Sequence, residues 1–139
     1  MRICIDSCVF IRGLRTQDPV IASVLDKIGP NIRLFIPRLV AQEVVRNLLT
    51  PEQVQNFYRL FVPFEFVRIV DEPVPTRFVA KYSRLGLPAK ADAFIGGFTE
   101  WQELDFLLSD NRHFLRQLQS STFEVATPDD FLPKIRTVN

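Results

Sequence analysis

Four short stretches of the 139-residue chain each carry an acidic side chain beside an apolar run: Asp6 in ICIDSCVF, Glu43 in IPRLVAQEVVRNLL, Asp92 in LPAKADAFIGGF and Asp110 in FLLSDNRHFL. Taken singly, each has an ordinary explanation. An aspartate after a strand begins a turn, one in the first helical turn complements the helix dipole, and one before a helix caps it. Taken together they pose an electrostatic problem. Two carboxylates about 5 Å apart at an effective dielectric of 20 repel by roughly 3 kcal/mol, so a cluster of three or four needs a counter-charge. Oxygen ligands with no accompanying Cys/His set favour a hard divalent cation, Mg²⁺ or Mn²⁺, over zinc. Ser7, Ser109 and Asn111 lie next to these acids in sequence and are suited to orienting water or phosphate oxygens.

The carboxylates converge only if the intervening elements place them on one edge. Arg2–Asp6 reads as a short buried strand, followed by strands at Leu34–Ile36, Phe66–Val70, Phe106–Leu108 and Phe123–Ala126. Helical patterns lie between them. The first covers Val20–Ile28; Arg38–Leu49 follows, with Val40, Val44 and Leu48 along one face and Glu43 and Asn47 on its flank. Thr50-Pro51-Glu52-Gln53 resembles a capping box with proline at the first helical position, opening a third helix through Val54, Phe57 and Phe61. Further helices are expected at about Thr76–Leu85, ending at Gly86, and at Ala89–Glu103, where Ala93, Gly96 and Gly97 would allow close approach to the sheet. A short helix after Asp110 and one at Asp129–Ile135 complete the pattern.

Strands alternating with helices predict an α/β fold: three layers, with a parallel sheet of about five strands between helices. Ligands in such sheets bind beyond the carboxyl ends of the strands, where the strand order reverses. Asp6 belongs to that edge.

Composition sets the remaining bounds. The length suits a single domain over 1–139, and an apolar fraction of 47% with 13 Phe argues for a filled core. The formal net charge of +1 excludes neither nucleic acid nor cations, since 17 basic and 16 acidic residues can segregate in space. Two cysteines, Cys4 and Cys8, are no disulfide framework, and with Asp6 interrupting the first apolar run no secretory signal is expected. No run is long enough to cross a membrane. A cytoplasmic protein is expected. Several chemistries fail on the letters: a phosphatase using Asp-x-Asp finds Cys8 in the third place, a cysteine phosphatase needing Cys-x5-Arg finds one residue too many before Arg15, and a dinucleotide site lacks its glycine-rich turn, having Gly13 alone.

In the same order, ICIDSCVFIRGL, FIPRLVAQEVVRNL, KADAFIGGF and FLLSDNRHF resemble the four acidic motifs of the PIN domain family, most often met as the toxin of a VapC-like toxin–antitoxin pair. The resemblance covers nearly the whole chain. It implies a metal-dependent endoribonuclease, RNA as substrate, a cognate antitoxin as partner, homodimerisation, and a Mg²⁺ or Mn²⁺ ion held by Asp6, Asp92 and Asp110, with Glu43 completing the catalytic set. The chain departs from the family at the fourth motif, commonly Thr-x-Asp. Matching Ser109 to the threonine puts Asn111 on the acid's position and Asp110 one residue early, so either Asp110 supplies the charge or Asn111 is a neutral ligand. The rival reading from another class is a catalytically weak or inactive PIN-like domain that binds RNA or a protein partner. Arg12, Arg15, Arg38 and Arg112 are candidates for contact with an RNA backbone, but surface ion pairs are the preferred reading of them; His113 reads as structural.

Overall fold

The structure is a computed structural model that describes residues 1–61, 65–86, 90–111, 114–115 and 122–136. Its strands are β1 (Arg2–Ile5), β2 (Arg33–Pro37), β3 (Val67–Val70), β4 (Phe106–Leu108) and β5 (Glu124–Ala126). All neighbouring pairs are parallel, in the order β3-β2-β1-β4-β5. The predicted α/β architecture is therefore present, with five strands. Ile3, Cys4 and Ile5 of the central β1 are at most 1% exposed, as a parallel strand covered on both faces requires.

Helices α1 (Ser7–Thr16) and α2 (Pro19–Asp26) lie between β1 and β2; α3 (Arg38–Asn47) and α4 (Pro51–Arg59) between β2 and β3; α5 (Thr76–Arg84) and α6 (Lys90–Trp101) between β3 and β4; α7 (Pro128–Arg136) follows β5. The sequence reading begins its helices at Val20 and so lacks α1. Val9, Ile11 and Phe10 give that stretch a strand-like composition, but the Asp6 carboxylate caps it by accepting from the Ser7 N–H at 2.8 Å, and burial of Val9 and Phe10 against the sheet completes it. Gly13 permits its packing on α2, since a Cβ there would lie 2.5 Å from Ile21 Cγ2.

The expected capping box at Thr50 forms: its hydroxyl accepts from Gln53 N at 3.2 Å, and Gln53 Oε1 reaches back to the Leu49 N–H at 2.8 Å. Helix α5 ends where expected, with Gly86 at φ +84°. A correction concerns the glycines of α6. A Cβ on Gly97 would meet the Phe78 carbonyl carbon at 3.0 Å and one on Gly96 the Tyr82 ring at 3.0 Å, so these residues serve contact with α5, not with the sheet. The helix after Asp110 is described only at residues 114–115, and Arg112 and His113 lie outside the described residues.

One apolar core runs through the sheet and its helices. Phe57 of α4 is fully buried, edge-on to Phe10 at 5.5 Å, which places it in the core. Both cysteines are free. Among the described residues no helix is long and apolar enough to cross a membrane.

Candidate active site

The strand order fixes where a site can form. From β1 the chain moves outward through β2 to β3, then returns across the sheet to β4 on the other side of β1. The order reverses between β1 and β4, and the crevice opens at their carboxyl ends. Ile5 is in register with Leu108, and the Asp6 N–H donates to the Leu108 carbonyl at 2.9 Å. Residue 6 and residue 109 are thereby brought side by side from opposite ends of the chain.

Around this point Asp6, Ser7, Glu43, Asp92, Asp110 and Asn111 line one cleft of about 360 Å³, with Cys8, Leu39 and Phe94 in its wall. Of the four acids and the three polar residues beside them in sequence, all but Ser109 border the cleft, and Ser109 is fully buried, donating its hydroxyl to Asp6 Oδ2 at 3.0 Å. The same Ser109 oxygen accepts from the Asn111 N–H at 3.0 Å, and the Asn111 side-chain amide donates to Asp92 Oδ1 at 3.3 Å. Asp6 and Asp92 are thus tied to one relay, Asp6–Ser109–Asn111–Asp92.

Asp6 is the most constrained of the acids. Burial pushes its pKa above the ordinary aspartate value; hydrogen bonds from Ser109, Ser7 and Cys8 oppose this, and the charge of Glu43 adds a smaller upward push. Cys8 suffers the same desolvation next to the Asp6 charge, and its thiol is pushed up to about 11. Glu43 is half-buried, and among the described residues its carboxylate has no hydrogen-bond or ion-pair partner. Asn47 donates its side-chain amide to the Glu43 backbone carbonyl at 2.8 Å, bracing the helix and not the carboxylate.

Asp110 stands apart. Its carboxylate pairs with Arg12 Nη1 at 3.3 Å, and its pKa is raised by burial, lowered by Arg12, and raised again by Asp129 and Asp18. Of the other arginines, Arg38 makes an exposed ion pair with Asp71 at 3.5 Å, and Arg15 lies exposed in the last turn of α1. Sequence reasoning prefers an ion pair for Arg12 to an RNA contact, and Arg12 is in ion pairs, but it does not name Asp110 and Asp18 as the partners. Had α1 been recognised, Cys8 and Arg12 at i and i+4 would have fallen on one helical face.

Comparison of the whole fold with solved structures places it firmly. A chain of the Rickettsia felis VapBC2 complex, bound to a DNA fragment from its promoter, superposes with TM-score 0.69 at 16% identity, over 91% of this chain and 98% of that one. VapBC-1 from nontypeable Haemophilus influenzae gives 0.65 at 16% identity, covering 93% and 99%. FitAcB from Neisseria gonorrhoeae gives 0.59 at 18%, covering 91% and 97%. The fold is PIN-like. No family model and no curated sequence matches, so at these identities the agreement is one of architecture. The PIN-like domain spans nearly the full length of each neighbour, which leaves the acidic cleft at the edge where that architecture reverses its strand order.

Do the residues fit a cation? Among the described residues no three His, Cys, Asp or Glu side chains form a ready-made cage. Mg²⁺ or Mn²⁺, which retain several waters and need only one or two carboxylates, would fit the oxygen donors of Asp6, Glu43 and Asp92 that line the cleft. The desolvated, repelled Asp6 beside Glu43 is the feature such a charge would relieve.

Proposed function

We propose that this PIN-like domain is a Mg²⁺- or Mn²⁺-dependent endoribonuclease, the toxin of a toxin–antitoxin pair acting in the cytoplasm. The observation that carries the reading is the meeting of Asp6, Glu43 and Asp92, from three distant segments, in one cleft at the sheet's switch point. Asp6 and Asp92 would hold the cation. When bound, the ion supplies positive charge at the scissile phosphodiester and makes attacking water more acidic. The chain's own residues supply the rest. Ser7 and Ser109 fix the Asp6 carboxylate, Asn111 fixes Asp92, and the unpartnered Glu43 accepts the proton of the attacking water.

The fold likeness to chains of VapBC and FitAcB complexes supports a protein partner, for which a cognate antitoxin is the proposal. A homodimer belongs to the same reading. Leu39, Leu49 and Tyr58, all exposed, on and next to α3 and α4, supply apolar surface for it.

The test is cleavage of end-labelled RNA by the purified chain. Cutting should require Mn²⁺ or Mg²⁺, stop with EDTA, and disappear in Asp6→Asn and Asp92→Asn. A second reading, an RNA- or protein-binding domain without activity, is favoured by one feature: the neutral Asn111 stands against Asp92 while Asp110 is paired elsewhere. Identical behaviour of wild type and Asp6→Asn in the cleavage assay would decide for it.

A further inference from the structure

The segment leaving β4 sends its side chains two ways. Ser109 and Asn111 turn toward Asp6 and Asp92, while the carboxylate of Asp110 between them turns to Arg12. Arg12 is itself anchored. Its Nε lies 3.8 Å from Asp18 Oδ2, and Asp18 is held as the N-cap of α2, its other oxygen accepting from Val20 N at 2.9 Å and Ile21 N at 3.3 Å. Among the described residues Arg12 Nε and Nη2 have no hydrogen-bond partner and no access to water, although the rest of the side chain is partly exposed, so the flanking carboxylates help to compensate this guanidinium. Asp110 is bound by the same logic, since Asp18 and Asp129 repel it and Arg12 attracts it. Turning the Asp110 carboxylate from Arg12 toward Asp6 and Asp92 would take a counter-charge from a partly buried guanidinium and give up the attraction to Arg12 that offsets Asp18 and Asp129.

We propose that Arg12 is a positioning residue that holds the Asp110 carboxylate at the border of the cleft, turned to its own guanidinium and not to a cation on Asp6 and Asp92, leaving neutral Asn111 in the place facing Asp92 and limiting the acids that reach the ion to Asp6, Asp92 and Glu43. This rests on the cation reading above. Its consequence is that cation affinity is set below what the four acids together would give, and that Arg12, with no contact to the ion, controls it.

Titration of the full-length chain with Mn²⁺, followed by the EPR signal of free Mn²⁺, tests this without reference to activity. Loss of a direct carboxylate ligand in Asp92→Asn should weaken binding by about 100-fold or more, whereas Asp110→Asn should change it by no more than about 3-fold. Arg12→Gln, which frees Asp110, should tighten binding by about tenfold. Arg12→Lys, which keeps the charge, should behave as wild type, and Arg12→Gln with Asp110→Asn should return to the wild-type affinity. Weakening by Asp110→Asn equal to that of Asp92→Asn overturns the inference, as does a folded Arg12→Gln that binds no tighter. Should Arg12→Gln show no cooperative melting, Asp110→Asn decides alone. If instead neither Asp6→Asn nor Asp92→Asn alters Mn²⁺ binding, it is the cation reading that fails.

Discussion

Asp6→Asn is expected to stabilise the protein when no cation is present and to destabilise it, relative to wild type, when one is. The carboxylate is largely desolvated and sits beside Glu43, and burial outweighs its hydrogen bonds in setting a raised pKa. Taking a carboxylate out of water costs several kcal/mol, while charge-assisted bonds such as those from Ser7 N and Ser109 Oγ return about 1.5–3 kcal/mol each. Asparagine caps a helix about as well as aspartate, so α1 keeps its start. Its Oδ1 still accepts from Ser7 N in neutral form, its Nδ2 donates to Ser109 Oγ where the carboxylate had accepted, and it escapes the burial penalty and the repulsion from Glu43. The net gain is about 1–2 kcal/mol, which for a chain of this size is about 3–8 °C in Tm. The sign with pH follows from linkage: with its folded pKa raised, Asp6 carries more protons folded than unfolded, so its contribution to stability falls as pH rises through the window from the ordinary aspartate value upward. The Tm advantage of Asp6→Asn in EDTA should therefore be full at neutral pH and vanish below about pH 4. A cation at a hundred times its Kd stabilises wild type by about 2.7 kcal/mol and the variant far less, reversing the order. Differential scanning calorimetry in EDTA and in excess Mn²⁺, across pH, measures all of this. A lower Tm for Asp6→Asn in EDTA at neutral pH, or equal stabilisation of both proteins by Mn²⁺, would refute the argument.

Three further outcomes are expected. Cys8 borders the cleft, but with its thiol pushed up to about 11, alkylation by iodoacetamide at neutral pH should be at least tenfold slower than for an unhindered cysteine, accelerating as pH climbs toward that value. Gly97→Ala should cost about 1–3 kcal/mol in urea unfolding, because the new methyl meets the backbone of Phe78 at 3.0 Å and backbone cannot rotate aside. Phe57→Ala should cost about 3–5 kcal/mol by the same assay, removing a fully buried ring from between Phe10 and Phe61.

What was legible in the sequence was whatever depended on local pattern. The apolar run Ile3–Ile5 could only be a strand buried on both faces, its successors alternate with helices, and parallel βα topology then assigns Asp6, Glu43 and Asp92 to one edge before any coordinate is known. What was not legible depended on contacts between distant segments. Helix α1 lacks a helical composition and is fixed by its cap, by burial, and by Gly13 meeting Ile21. The glycines of α6 carry no label saying which neighbour they admit, and the neighbour is α5. Asp110 and Asn111 pose the same problem at the site itself. Adjacent in sequence and alike in size, they differ in the partners that draw them: Arg12, which lies 98 positions away from the one, and Asp92, 19 away from the other. Spacing states that an acid is near the fourth position; direction decides whether its charge reaches a cation, and direction is set by the partner that claims it first. With Asp6, Glu43, Asp92 and Asp110 all lining one cleft, an arginine that claims Asp110 relieves the repulsion among them; under the proposed cation reading it would do so at the expense of affinity for the ion, making Arg12 as much a determinant of the chemistry as the acids it flanks.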